Sequence, residues 1–277
     1  MQLFSVSLLV CGLLTADVDD LLKQARAALQ QGKAQEALTL LNQAIARDAD
    51  NPQAYLLRGI VHEAQEEHDK AVADFSKTIQ LDPKAADAYN RRGSEQFKLG
   101  KIKESIDDFD QFLALRPQEA PAHWKRGISY FYVRRFADGQ KQFEGYQDVD
   151  ANDVENAVWR FLCMVPLVGV DKARGDMLQI GKDKRVPMME VYDLYLGKIK
   201  PEDVLAAATA GQPNAESRNR QLFYAHLYLG LYYEVMGDAR KAYDHLNRAT
   251  DQHKIGHYMW DVARVHRDLL KAKMQSQ

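Results

Sequence analysis

The sequence predicts an all-α fold: a right-handed superhelix of stacked helical hairpins (an α-solenoid) with a C-terminal capping helix. Three observations predict it. Small residues recur at Ala25, Gly59, Gly93 and Gly127, each 34 positions after the last. Twelve positions on come Ala37, Ala71, Ser105 and Gly139, and four beyond those the large apolar Leu41, Phe75, Phe109 and Phe143. Pro83 and Pro117 keep the same period. A fixed period at several independent positions marks a repeat array, in which no hairpin buries its own apolar face and stacking supplies the core.

The spacing has a physical reason. Small residues let the two helices of a hairpin approach closely where they cross, and the large residue one turn later plugs the gap against the neighbouring hairpin. In Leu81-Asp82-Pro83 the proline disfavours helix in the residue before it and starts the next helix well. Four hairpins are expected over residues 18–51, 52–85, 86–119 and 120–153. A fifth follows from Phe223 to Ala249, with Gly230 and Ala242 again twelve apart and Leu246 four further. Between them, two degenerate hairpins are expected, with helices over 153–166 and 171–180, then 187–196 and 201–210. A last helix over 256–273 would cover the final apolar face as a cap. The chain thus divides into 1–16, a candidate signal peptide; 17–153, four repeat units; 154–214, degenerate hairpins; and 215–277, a repeat unit with its cap. The 34-residue pattern resembles the tetratricopeptide repeat (TPR).

Residues 3–16 are apolar or small throughout, too short for the roughly 20 residues that span a bilayer. They resemble the apolar region of a secretory signal, with Leu14-Thr-Ala16 as the cleavage site before Asp17. A lipoprotein reading makes Cys11, after Leu8-Leu9-Val10, the lipidated residue, and membrane attachment depends on it. The second cysteine, Cys163, sits in an apolar run and reads as a buried, inert thiol. Two cysteines allow no disulfide framework.

Lys+Arg 37 against Asp+Glu 39 leaves a net charge of −2, without the basic excess of a nucleic-acid binder. No serine-nucleophile elbow, zinc-protease helix, phosphate loop or Cys-x-x-Cys occurs, so no catalytic residue, cofactor or metal site is assigned. His253 and His257 have helical ligand spacing, but Gly256 interrupts the segment and no third ligand follows. Arg58, Arg92 and Arg126 recur just before the small site, and Asp74 and Asp108 just before the large one. They are expected to form ion pairs between adjacent repeats.

Binding fits better than catalysis. The first helices of the hairpins line the inner wall of such a superhelix. There the sequence places Asn90 and Arg91 with Phe97, then Trp124, Lys125, Phe131 and Tyr132. Rings, an amide and positive charge suit proteins or extended peptides, whose backbone the asparagine grips and whose apolar side chains the rings cover. Tyr224 and Tyr228 are candidates for a further interaction surface or a homodimer contact, whereas Phe223 and Tyr233 read as core.

Over residues 83–270 the chain resembles the NlpI family of bacterial TPR lipoproteins. The resemblance rests on Trp124-Lys-Arg-Gly-Ile-Ser-Tyr-Phe-Tyr, Asn152-Asp153 leading to Trp159, Tyr195-Leu-Gly-Lys-Ile, and Tyr228-Leu-Gly-Leu-Tyr-Tyr with Gly237-Asp238. It implies a non-enzymatic, dimeric adaptor of the cell envelope that binds a periplasmic protease and peptidoglycan hydrolases. The alternatives are a cytosolic TPR co-chaperone and a metal-dependent enzyme using the irregular block 153–210.

Overall fold

The computed structural model describes residues 17–276; the candidate leader 1–16, with Cys11, lies outside them. The described residues form fifteen α-helices and no strand. They fall into two compact units, 17–88 and 89–276, with the boundary inside one helix.

The first unit holds the hairpins α1 (Val18–Gln30) with α2 (Ala34–Arg47) and α3 (Pro52–Ala64) with α4 (His68–Leu81), then the start of α5 (Ala86–Lys98). The Asp17 carboxylate accepts from the Val18 N–H, and Asn51 Oδ1 accepts from the N–H groups of Gln53 and Ala54. Pro52 takes the first helical position of α3, where a missing N–H costs nothing. Ala25, Ala37, Leu41 and Ala44 are wholly buried, as the period requires.

The second unit continues with α6 (Ile102–Leu115), α7 (Trp124–Tyr132) and α8 (Phe136–Tyr146). Then come α9 (Val154–Val168), the short α10 (Val170–Gly175), α11 (Met188–Tyr195) and α12 (Pro201–Thr209). The chain ends with α13 (Ala215–Val235), α14 (Ala239–Gln252) and α15 (Tyr258–Gln275). Two boundaries differ from expectation. A 3-10 turn at Pro117–Glu119 delays α7 to Trp124, where the His123 ring accepts from the Arg126 N–H. Helix α10 stops at Gly175, five residues early, and an irregular segment leads to Pro187. Every residue of α9 from Asn156 to Met164 is buried, so this helix is the core of the second unit. Cys163 is part of that core, and burial pushes its thiol up to about 12, in keeping with an inert side chain.

The crossing rule holds in both units. A Cβ on Gly59 would fall 2.6 Å from Phe75 Cε1, on Gly93 2.9 Å from the Phe109 ring, on Gly127 2.8 Å from Phe143, and on Gly230 2.7 Å from Leu246. A second periodic position is legible only from the backbone. Gly32, Glu66, Gly100 and Arg134, 34 apart, all turn between helices with φ of +72°, +59°, +76° and +63°. Glycine is free there; Glu66 and Arg134 carry a strain of about 1 kcal/mol each.

The arginines pair differently from expectation. Arg58 donates to Asp74 at 2.7 and 2.8 Å, and Arg92 donates to Asp108 at 2.6 and 2.8 Å, each within one hairpin rather than between repeats. The offset of 16 residues carries the chain across the hairpin, which puts these positions face to face beside the glycine crossing. Links between hairpins are secondary: Arg58 also reaches Asn42, and Arg126, whose own hairpin supplies Gln142, reaches Asp110 at 2.9 Å.

Candidate binding site

The residues assigned to an open inner wall have an occupant: the chain's own last helix. Helix α15 packs on α14 as the expected cap and also reaches the first helices of the third and fourth hairpins. Phe97 is wholly buried, its ring 5.4 Å from that of Tyr258. Trp124 meets the same Tyr258 ring at 5.5 Å, and Lys125 Nζ stands 4.7 Å from its centre. The Tyr132 O–H donates to His266 Nδ1 at 3.1 Å, and His266 Nε2–H donates to Glu234 at 2.6 Å. Burial pushes Glu234 up, but His266 and Lys273 hold it below its ordinary value. Phe131 stacks on His266 and meets Trp159 edge-on at 5.6 Å. Arg264 donates to the Lys98 carbonyl at 2.8 Å. The physical reason is that α15 carries two apolar faces. One packs on α14, and the other, with Tyr258, Val262 and His266, seals the rings.

The polar members of the set lie nearby. Asn90 Oδ1 bonds to His123 Nε2 at 3.1 Å, Lys125 Nζ donates to Ser94 Oγ at 3.1 Å, and Arg91 is half-buried. Of the second aromatic set, Phe223 is core as expected. Tyr228 is also wholly buried and donates its O–H to Glu155 at 2.6 Å, so it offers no outer surface. Only Tyr224 of that pair is part-exposed. His253 pairs with Asn219 and ends α14, while His257 caps α15, so the two share no helix face.

The second unit has a further feature that sequence reading missed. Arg185, in the irregular segment before α11, donates to Asp153 at 2.6 Å, Glu155 at 2.6 Å and Asp183 at 2.5 Å. Arg185, Asp153 and Glu155 wall a cavity of about 190 Å³ with Trp124, Asn156, Trp159 and Tyr224; Asp183 holds Arg185 from behind that wall. The only hint in the sequence was the acidic start of α9, Asp153-Val-Glu155, thirty residues from its partner. Burial pushes the Glu155 carboxyl up to about 7, Arg185 opposing and Asp153 assisting. Burial also raises Asp153, while Asp183, though buried, is held below its ordinary value by hydrogen bonds from Arg185.

A raised carboxyl binds its proton more tightly in the folded state. Its stabilising effect is therefore complete below the unfolded value near 4.5 and lost as pH rises through about 7. The shift corresponds to on the order of 3 kcal/mol. His123 and His226, pushed down to about 3 by burial, and His245, pushed down to about 4, act in the opposite sense between those values and 6.5. In Glu155→Gln the Glu155 contribution alone is gone. The stability difference between variant and wild type is expected to move by on the order of 3 kcal/mol in the variant's favour from pH 4.5 to pH 8, read by urea unfolding. A pH-independent difference would contradict it.

Among the described residues no group of His, Cys, Asp or Glu could hold a metal, and no helix is long and apolar enough to cross a membrane. Two family profiles, both described as tetratricopeptide repeat, match residues 22–86 and 86–119. Residues 22–119 are TPR units. TPR structures extend the likeness of fold along the chain. A tetratricopeptide repeat protein from Parabacteroides merdae, 14% identical, covers 92% of this chain and 98% of its own, with a TM-score of 0.60. MamA from Desulfovibrio magneticus, 20% identical, covers 58% of this chain and 91% of its own at 0.53. YrrB, described as a TPR protein with an unusual peptide-binding site, is 17% identical and covers 57% and 86% at 0.52. At these identities the TPR likeness is one of fold alone. No curated protein matches the sequence.

Proposed function

We propose that this chain is a non-enzymatic TPR adaptor that binds protein or peptide partners in the bacterial cell envelope. The observation that carries the reading is the matched repeat block, whose first unit presents a polar, cationic groove. Lys23, Arg26 and Gln30 of α1 stand exposed beside Gln53 of α3, with Asp19 the one acid on the wall, and Arg26 Nη2 donates to Gln53 Oε1 at 2.6 Å. Two cations and a pair of amides suit an extended segment with acidic side chains and free backbone groups.

The rings of the second unit enter this reading differently. With α15 on Phe97, Trp124 and Tyr132, a partner reaches Asn90, Arg91 and Lys125 first. The envelope assignment, export by the 1–16 leader, a homodimer, and a protease or peptidoglycan hydrolases as partners draw support from the leader pattern and the NlpI resemblance. Mass spectrometry of the mature N-terminus tests export: Asp17 indicates cleavage, diacylated Cys11 a lipoprotein, and Met1 removes the envelope reading and favours the cytosolic co-chaperone.

The adaptor reading predicts that Lys23→Glu with Arg26→Glu lowers capture of envelope partners at least tenfold, because two charge-assisted contacts become repulsive. Both side chains are exposed, so the circular dichroism is expected to stay helical. Undiminished capture by the helical variant would remove the first unit from the interface.

A further inference from the structure

Two polar atoms at the start of α9 are buried without a hydrogen-bond partner among the described residues: Asn156 Oδ1 and Trp159 Nε1. Their residues are 3% and 2% exposed. A buried donor or acceptor left unsatisfied costs about 1–3 kcal/mol, so a matched pair on one helix face calls for an explanation. Both residues line the 190 Å³ cavity, one helical turn apart. Asn156 cannot turn its amide, because Nδ2 donates to the Phe143 carbonyl at 2.9 Å. A ligand that pairs both atoms has to bring a donor to Oδ1 and an acceptor to the indole N–H.

Charge narrows the class. Asp153, Glu155 and Asp183 bring three carboxyl groups to the single guanidinium of Arg185. Even with Glu155, raised to about 7, only about half ionised at neutral pH, the cluster keeps a negative excess. His257, also on the wall, is held below its ordinary value by burial and by Lys125 and Arg185, so it adds no cation at neutral pH. An incoming donor is thus favoured if it is positive. Size narrows it further, since the cavity is below the roughly 300–1,000 Å³ of a site for a drug-sized molecule. Through Arg185, Tyr224 and His257 it shares walls with a larger groove of about 770 Å³. On that groove Gln221 Oε1 is a third buried, unpartnered acceptor.

We propose that the cavity binds an α-amino-acyl group, the free N-terminal residue of a peptide. The ammonium donates to Asn156 Oδ1 on the Glu155 side, and the first carbonyl accepts from Trp159 Nε1–H. The Trp124 and Tyr224 rings cover an apolar first side chain, and the second residue's N–H reaches Gln221 in the adjoining groove. Capture of a peptide amino terminus by fixed polar groups is a recurring mode of recognition. The site rests on the adaptor reading only for the ligand being a peptide.

Isothermal titration at pH 7 with the tripeptide Leu-Gly-Gly, its N-acetyl form and free leucine tests the site. Leu-Gly-Gly is expected to bind, acetylation to weaken it at least tenfold, and free leucine to bind more weakly than the tripeptide. Trp159→Phe is expected to weaken Leu-Gly-Gly about tenfold, one hydrogen bond; the smaller ring also loses packing against Phe131 and Phe143 and lowers the melting temperature, so binding is compared where both proteins are fully folded. Absence of tripeptide binding, or equal binding of the acetylated form, overturns the proposal. Free leucine binding as tightly as the tripeptide overturns the peptide assignment in favour of a free amino acid. Envelope capture through Lys23 and Arg26 is a separate readout. Its persistence alongside failed titration removes only this site, and its loss alongside successful titration removes only the first-unit surface.

Discussion

Phe75→Ala is expected to lower the unfolding free energy by about 3–5 kcal/mol, as large-to-small changes of a buried phenylalanine do. The ring is wholly buried and fills the crossing beside Gly59. The more discriminating result comes from the pair. Gly59→Ala alone sets a Cβ 2.6 Å from Phe75 Cε1, and the next two atoms it meets belong to the same ring. Overpacking of this kind costs about 1–3 kcal/mol, offset only in part by the roughly 1 kcal/mol that alanine gains over glycine inside a helix. Once the ring is gone the clash is gone, and the helix propensity remains. Phe75→Ala with Gly59→Ala should therefore be more stable than the sum of the single changes, by about 1–3 kcal/mol of coupling. Denaturant titration of the four proteins measures it. Strict additivity would mean that the small site and the ring do not define one crossing.

That crossing was legible in the sequence, because the fold there depends on residues at fixed local spacing. Gly59 and Phe75 reveal themselves by repeating as Gly93 with Phe109 and Gly127 with Phe143. The turn positions between helices are only half announced by residue type. At Gly32 and Gly100 the residue type agrees with the left-handed backbone, whereas Glu66 and Arg134 hold the same conformation without a residue that announces it. The ladder was half legible: Arg92 and Asp108 stood out by recurrence, but recurrence does not say whether a pair spans one hairpin or two. The cavity was hidden, because Glu155, Arg185, Tyr224 and His257 come from different elements and none repeats. Where the periodic rule lapses, between Asp153 and Ala210, contacts over long sequence distances take its place.

Long-range packing also decides the second large effect. Val262→Asp is expected to detach α15 from the rings of the second unit. Val262 is wholly buried, and Tyr132 O–H lies 3.5 Å from its carbonyl. A carboxylate there meets no cation among Phe97, Tyr132 and Tyr258, only phenol hydroxyls, and burying a charge without a counter-charge costs on the order of 4 kcal/mol, more than one helix contact can sustain. Release is then cheaper than burial, because the helix can keep its own backbone hydrogen bonds in water. The expected signature is local: a lower melting temperature, a red shift of tryptophan emission, and faster amide exchange in α5 and α7 with exchange in α3 unchanged. Val262→Ala, which leaves no charge, should show a smaller loss of stability and retain the docked spectrum. The same variant bears on binding. If partners use the ring face, releasing α15 raises capture; if they use Lys23 and Arg26, capture does not change. Wild-type exchange rates in α5 and α7 of the Asp variant would mean that the rings hold their positions without the helix, and that α15 adds little to the second unit.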